Sequence, residues 1–103
     1  MTFTEYQNAC LRTWNDTIAN FHQVLNAALG VVGEAGEYAD SVKKWAFHGH
    51  CALDVDELGD ILYYLSISAS LLGISLEDLA ERNIEKLTDR YPKGFDPERS
   101  RNR

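Results

Sequence analysis

The sequence predicts an all-α protein, an antiparallel bundle of four helices that assembles at least as a dimer. Apolar residues recur at helical spacing in four segments, and no segment alternates between apolar and polar residues as a half-buried strand does. Residues typical of helix starts and ends bound these segments. The 103 residues, 45% of them apolar, suit a single domain over residues 1–103 with a modest core. Domains of this size often gain stability by oligomerising.

Helix 1 is predicted over about residues 3 to 14. It begins with a capping box, Thr2-x-x-Glu5, in which each side chain bonds the other residue's backbone N–H. Three side chains then follow at near-helical spacing: Tyr6, Cys10 and Trp14. A polar break at residues 15–17 predicts the end of this helix.

Helix 2 is predicted from about His22 to Phe47. It carries an apolar stripe at a spacing of 3.6 residues, formed by Leu25, Ala28, Val32, Ala35, Ala39, Val42 and Ala46. Glu34 and Glu37 face away from this stripe. Three glycines in the same helix, at positions 30, 33 and 36, disfavour helix formation and suggest that another backbone approaches closely.

Helix 3 begins at Asp54-x-x-Glu57, so Glu57 has a structural explanation as an acidic residue at a helix N-terminus. The helix is apolar nearly all round, which predicts a central position in the bundle or burial by a second subunit. Asp60 lies a full turn further in, at the edge of this water-poor region. Because an unpaired charge there is costly, Asp60 calls for a cationic partner.

Helix 4 is predicted from a cap at Ser75-x-x-Asp78 to Pro92. Asn83, Lys86 and Arg90 lie together on one flank of it, at three- and four-residue steps. The following segment, about residues 94–103, reads as a turn and a partly flexible end.

Two pairs of carboxylates, Glu34-x-x-Glu37 and Glu57-x-x-Asp60, dominate the chemistry of the sequence. Residues three apart on a helix point the same way, so two adjacent helices can aim four carboxylates at one point. Their mutual repulsion would raise their pKa values unless a cation neutralised them. An all-oxygen ligand set favours Mg²⁺, with Mn²⁺ as a substitute, over Zn²⁺. The alternative for either pair alone is a solvated helix face.

Charge and composition exclude several classes of function. The net charge of −6 argues against a nucleic-acid-binding surface, because such surfaces are basic. The longest uncharged run, residues 61–76, is too short and too rich in serine to span a membrane. The N-terminus lacks the charged and apolar blocks of a signal peptide, and the two cysteines form no redox or metal spacing. We therefore expect a cytoplasmic protein.

Three motifs in order resemble the MazG-like all-α nucleotide pyrophosphohydrolases. They are Gly33-Glu34-Ala35-Gly36-Glu37, then Asp56-Glu57-Leu58-Gly59-Asp60-Ile61-Leu62-Tyr63-Tyr64, then Asn83-x-x-Lys86-x-x-x-Arg90-Tyr91-Pro92. The set spans residues 33 to 92, and the gap between the two acidic motifs also fits. A looser similarity, Trp14 followed by Phe21-His22-Gln23 and Asn26, points to the branch that acts on deoxycytidine triphosphate and its analogues.

The resemblance implies a hydrolase of phosphoric anhydrides that cleaves a nucleoside triphosphate between the α and β phosphates. It implies Mg²⁺ held by Glu34, Glu37, Glu57 and Asp60, with Glu37 or Glu34 acting on the attacking water. It also implies that Lys86 and Arg90 stabilise phosphate charge, and that relatives are dimers or tetramers whose active sites are lined by more than one chain. Other predicted substrate-binding residues are Trp14, His22, Asn26, Trp45, Tyr64 and Asn83.

One departure from the family pattern affects the choice of general base. Many relatives carry Glu-Glu-x-x-Glu in the first motif, whereas this chain has Gly33 at the leading position. A base at that position is therefore absent, and the assignment between Glu34 and Glu37 stays open.

Three functions remain as alternatives. The first is a nucleotide pyrophosphohydrolase that cleans or regulates a nucleotide pool. The second, in the same superfamily, is a phosphoribosyl-ATP pyrophosphohydrolase; the similarity around Trp14 and His22 favours a free nucleotide instead. The third is a non-enzymatic helical oligomerisation or regulatory module, with helix 3 as its interface.

Overall fold

A computed structural model describes residues 1–49 and 53–102. The described residues form five helices: α1 (Phe3–Leu11), α2 (Asn20–Phe47), α3 (Asp56–Leu71), α4 (Leu76–Arg90) and α5 (Pro97–Arg101). Within these ranges the only β-type pairing is an isolated bridge between Pro92 and Gly94. The predicted all-α class is confirmed.

The helix starts follow the capping residues in the sequence. The Thr2 side chain accepts a hydrogen bond from the Glu5 backbone N–H, and the Ser75 side chain accepts one from that of Asp78. Helix α1 ends at Leu11, three residues earlier than predicted, because the backbone tightens into turns there. The Trp14 N–H bonds the Leu11 carbonyl, at 3.3 Å.

Helices α2 and α3 pack against each other in antiparallel directions. Ala27 of α2 and Ile67 of α3 are both buried in one core cluster with Cys10 of α1. Gly30 lies one turn further along α2 and contacts Tyr64, one turn further back along α3. The same register, continued away from the core, brings the acidic segments of the two helices together.

The face of α2 that packs on α3 is not its predicted apolar stripe. Ala27, Glu34 and Tyr38 lie on the packed side, whereas of the seven stripe residues only Val42 is even half-buried. Val32 is 69% exposed. Small residues allow a close approach of α3 on the acid-bearing side, so the longest apolar stripe is left for solvent or for another chain.

Helix α1 is fastened to the junction of α3 and α4 by one buried side chain, Gln7. Its amide nitrogen donates to the Ser70 hydroxyl at 2.9 Å and to the Ile74 carbonyl at 3.0 Å. Its amide oxygen accepts from the Leu76 N–H at 3.0 Å. Three hydrogen bonds thus fix the point at which the chain turns into α4.

Helix α4 leaves α3 at an angle of 98°, so within one chain it does not lie alongside α3 over its full length. The radius of gyration is 16.7 Å, whereas a compact chain of this size has about 13 Å. One chain alone is therefore too open to form a closed four-helix bundle. Among the described residues, no single helix is long and apolar enough to cross a membrane; α3 and α4 reach that length and apolar content only together, across their bend.

The C-terminal segment contains a helix that the sequence prediction omitted. The Asp96 side chain accepts hydrogen bonds from the backbone N–H groups of Glu98 and Arg99, and Pro97 occupies the first turn of α5. The Arg99 guanidinium donates to the Arg90 carbonyl at 3.3 Å. The sequence prediction for this segment was a turn and a partly flexible end, without a helix.

Candidate metal centre

Three of the four predicted carboxylates converge where α2 and α3 cross. Glu34 and Glu37 project from α2, and Glu57 projects from the first turn of α3. Each offers one oxygen, and these three oxygens lie within 4.8 Å of one another. Three carboxylate oxygens at this spacing suit a hard divalent cation.

Without a cation, it is unfavourable for all three carboxylates of this cluster to be ionised at once. The pKa of Glu34 is raised, first by burial and then by repulsion from Glu37 and Asp60. The pKa of Glu57 is raised by burial, then by Glu37, Asp54, Asp60 and Glu34 in decreasing order.

Two oxygen atoms in the cluster lack the partners that buried polar atoms normally have. The Oε2 atoms of Glu34 and Glu57 are inaccessible to solvent, and neither is hydrogen-bonded to any residue in 1–49 or 53–102. Buried acceptors are nearly always paired, so these two oxygens call for a ligand. The residues therefore fit a divalent cation by donor type, by spacing and by unsatisfied bonding capacity.

Helix capping does not account for Glu57. The N-cap residue of α3 is Val55, which makes no side-chain capping bond. The Asp54 side chain, one residue earlier, accepts from the Asp56 N–H at 3.0 Å. One Glu57 carboxylate oxygen belongs to the cluster, and the Oε2 atom is inaccessible to solvent without a hydrogen-bond partner among the described residues. Glu57 does lie in the first turn of α3, where an acidic residue is favourable, but that position does not explain its buried, unpaired oxygen.

Asp60 flanks the cluster and is not one of its three close members. It is exposed in the single chain, contrary to the expected water-poor surroundings. It is nevertheless close enough to raise the pKa values of Glu34 and Glu57. It also contributes, after burial and Cys10, to raising the pKa of Tyr6 to about 12.

Beside the carboxylates, a cluster of three aromatic rings separates the acidic site from the core. Tyr64 meets Trp14 edge-to-face with ring centroids 6.4 Å apart, and it meets Tyr63 in the same way at 5.1 Å. The Trp14 indole donates to Gln23 at 2.9 Å. Of the predicted base-binding residues, the structure brings Tyr64 and Trp14 together.

Three other predicted base-binding residues lie further along α2. His22 precedes Glu34 by twelve residues, or about 18 Å along the helix, and Asn26 by about 12 Å. Trp45 follows Glu37 by about 12 Å and is 48% exposed. Within one chain, none of the three is adjacent to the carboxylates.

The predicted phosphate-binding residues lie on the other side of α3. Asn83 borders an apolar groove of about 400 Å³ whose other lining residues are Phe3, Leu62, Leu65, Leu76, Leu79 and Ala80. Leu62 follows Asp60 by two residues, so it points about 200° away from it around α3. Lys86 and Arg90 continue along α4 beyond this groove. A single chain therefore does not bring these three residues to its own carboxylates.

Two features of the site were missed from the sequence. Gly30 was expected to admit another backbone, but its close neighbour is the Tyr64 ring; Gly33 and Gly36 have no described atom within 4 Å of an added Cβ. Tyr63, whose hydroxyl accepts from Thr13 at 3.0 Å, was not singled out at all. The sequence does contain a pattern that could have predicted the contact between Gly30 and Tyr64. Two adjacent tyrosines, Tyr63 and Tyr64, follow an acidic motif, and the helix predicted to pack against them contains three glycines.

Comparison with known proteins places most of the chain in a family. Residues 22–95 match the family model described as the MazG nucleotide pyrophosphohydrolase domain. The chain is also 34% identical over 73 residues to the "Gene 37 protein" of Mycobacterium phage L5. That alignment covers 64% of this chain and 64% of the phage protein, so the chain spans less than two thirds of that relative. No solved structure matches the chain significantly.

Proposed function

The chain belongs to the MazG nucleotide pyrophosphohydrolase family, and on this basis we propose that it hydrolyses the α–β phosphoanhydride of a nucleoside or deoxynucleoside triphosphate. The products are the nucleoside monophosphate and pyrophosphate. The observation that carries the proposal is the carboxylate cluster with its two buried, unpaired oxygens. Such an activity would clean or regulate a nucleotide pool.

The cation would be held by Glu34, Glu37 and Glu57, with Asp60 at the flank. Mg²⁺ is the proposed ion and Mn²⁺ a substitute, because all the donors are oxygens. A bound divalent ion supplies neutralisation of the triphosphate charge, which otherwise repels both the carboxylates and a nucleophile.

Glu37 is the better placed of the two candidate bases. It is exposed, whereas Glu34 is half-buried with one oxygen inaccessible to solvent. A water attacking phosphorus can therefore reach the Glu37 carboxylate, which accepts its proton as the new P–O bond forms. The bridging P–O bond breaks, and its electron pair leaves with the pyrophosphate. Glu34 is the alternative base.

A second chain completes the site in this proposal. Lys86 and Arg90 carry the positive charge suited to phosphates, Arg90 with a guanidinium that binds two oxygens at once. They lie across α3 from the carboxylates of their own chain, so they would serve those of a partner in a homodimer or homotetramer. The open shape of the chain and the exposure of Val32 and Leu72, at 69% and 73%, support such an assembly.

The nucleobase would bind next to Tyr64, one helical turn from Asp60. Tyr64 and Trp14 offer aromatic surface there, and Asn26, His22 and Trp45 would contribute from either chain of the assembly. A deoxycytidine triphosphate-like substrate is the specific proposal from the similarity around Trp14. Stacking alone tolerates every base, so selectivity would come from the shape of the pocket and its polar groups.

The test is a panel of ribo- and deoxyribonucleoside triphosphates with Mg²⁺, scored by released pyrophosphate. Wild-type protein should release pyrophosphate from at least one substrate, and a Glu37→Gln, Asp60→Asn double variant should not. Asp40→Asn is the matched control, because Asp40 lies on the same helix but pairs with Lys44 on the surface. Equal release by the wild type and the double variant would contradict the proposal.

Two other functions make different predictions. A phosphoribosyl-ATP pyrophosphohydrolase would turn over phosphoribosyl-ATP faster than deoxycytidine or deoxyuridine triphosphate. A non-enzymatic helical module would release no pyrophosphate and would show no rise of melting temperature with Mg²⁺, since only a ligand that binds the folded state raises it.

A further inference from the structure

Gly30 is the one described glycine on α2 that has a close neighbour. A Cβ added there would overlap the Cδ1 and Cε1 atoms of Tyr64 and lie 2.6 Å from its Cγ. Cβ contacts under 3.0 Å are essentially never found. The Tyr64 ring therefore lies against the backbone of α2 at a place where only glycine leaves room for it.

This contact is one turn from Glu34 on α2. On α3 it is one turn from Asp60, which flanks the cluster, and about two turns from Glu57. Gly30 precedes Glu34 by four residues, and Tyr64 follows Asp60 by four. A helical turn is about 5.4 Å, so the ring borders the space beside the metal centre. Its position decides how much of that space is left for a bound group.

The ring is fixed on its other sides by aromatic neighbours. Trp14 and Tyr63 both meet it edge-to-face, with interplanar angles of 83° and 82°. Trp14 is itself held by its bond to Gln23, and Tyr63 by its bond to Thr13. A methyl group at position 30 would therefore push the ring outward, into the space beside the carboxylates.

We infer that Gly30 is a positioning residue for substrate selectivity: it lets the Tyr64 ring pack closely against the backbone of α2 and so sets the room available to the nucleobase. The inference rests on the proposed function. Gly30→Ala narrows the pocket while leaving the carboxylates in place. It should raise KM about tenfold or more for the preferred nucleotide, and most for purines, because a one-carbon mismatch in a closely fitting pocket has effects of this size.

The experiment is a double-mutant cycle of Gly30→Ala and Tyr64→Ala, with Gly36→Ala as the matched control. Gly36 is on the same helix, gains the same helix propensity, and has no described atom within 4 Å of an added Cβ. Gly30→Ala should raise KM with kcat changed less than about threefold, and it should have no further effect once Tyr64 is Ala. Gly36→Ala should leave KM unchanged in both backgrounds.

The emission of Trp14 gives a readout that does not depend on activity. In a Trp45→Phe background Trp14 is the remaining tryptophan, and its spectrum should shift with Gly30→Ala but not with Gly36→Ala. If Gly30→Ala leaves the Trp14 emission spectrum unshifted, the claim that Gly30 determines the position of the Tyr64 ring is wrong. A shifted spectrum with unchanged KM overturns the role in selectivity.

A failure of the proposed nucleotide hydrolysis can be distinguished from a failure of the inference about Gly30. If wild-type protein hydrolyses no nucleotide, that proposal fails, and with it the role in selectivity, whereas the emission spectra still decide the positioning of the ring. If Gly30→Ala alone does not fold, adding Tyr64→Ala should restore folding by removing the overlapping ring. A double variant that also fails to fold overturns the inference.

Discussion

Replacing Glu34 with Gln should change stability in opposite directions with and without a divalent cation. The substitution keeps the shape of the side chain and removes its charge. In metal-free protein the burial of Glu34 and its repulsion by Glu37 and Asp60 make the ionised form unfavourable, as its raised pKa indicates. The Glu34→Gln variant should therefore melt higher than wild type in EDTA.

With Mg²⁺ the wild type should melt higher than the Glu34→Gln variant, because a Gln side chain is a weaker ligand for the cation than a carboxylate. At a Mg²⁺ concentration ten times its Kd, one site that binds only the folded state contributes about 1.4 kcal/mol. For a chain of this size that is a rise in Tm of about 6–11 °C. If the loss of one of the three clustered carboxylates weakens Kd tenfold, the contribution at the same concentration falls to about 0.4 kcal/mol, or about 2–3 °C.

Thermal unfolding in EDTA and at several Mg²⁺ concentrations measures both effects, and Asp40→Asn is the control. Asp40 lies on the same helix, but its Oδ2 atom pairs with the Lys44 ammonium at 2.9 Å, and both side chains are 53% exposed. Loss of such an exposed pair changes stability little, because solvent screens it, and the variant should keep the whole rise in Tm that Mg²⁺ gives. A Glu34→Gln variant that melts below wild type in EDTA, or that keeps the full gain, would refute the reasoning.

Two further predictions concern pH and the α1 junction. In metal-free solution the advantage of Glu34→Gln should shrink as the pH falls from 7 towards 4.5, the ordinary glutamate value, because the raised pKa of Glu34 means that its unfavourable charge is lost earlier in the folded protein than in the unfolded chain. A gap in Tm that stays constant over this range would contradict the assigned cause. Gln7→Leu should lower the free energy of unfolding in urea by about 2–4 kcal/mol, because it leaves the buried Leu76 N–H and the Ile74 carbonyl without partners. Asn8→Ala, on the exposed side of α1, should change it by less than about 0.5 kcal/mol.

The helices were predictable because their signals are local. The caps at Thr2 and Ser75 involve residues three apart, and the structure contains both. The predicted membership of the MazG family is also confirmed, since its motifs can be recognised in sequence order. The short helix α5 was missed because its Asp96 cap is followed by only five helical residues, too few to show a period.

The packing face of α2 could not be predicted, because hydrophobicity alone does not say which apolar surface meets which neighbour. The stripe through Leu25 and Val32 is the most apolar side of the helix, yet it is exposed in the single chain. The packed side instead combines Ala27, Gly30 and Glu34, and Gly30 is there because it admits a ring from α3. A contact of this kind depends on the register of two helices, which is a tertiary property.

The register of α2 against α3 also determines which of the four acidic residues are buried. Burial, and not sequence spacing, therefore identifies the stronger candidates for cation ligands. By sequence, Glu57 had a role as a helix cap and Asp60 had none, so Asp60 was the stronger candidate for a cation ligand. In the structure Glu57 lies in the first turn of α3, Asp60 is exposed, and the buried, unpaired oxygens belong to Glu34 and Glu57. These two residues sit on opposite helices at their contact, so their repulsion opposes the packing of α2 on α3. A cation between them would remove that repulsion, and metal binding and folding of this chain should therefore be coupled.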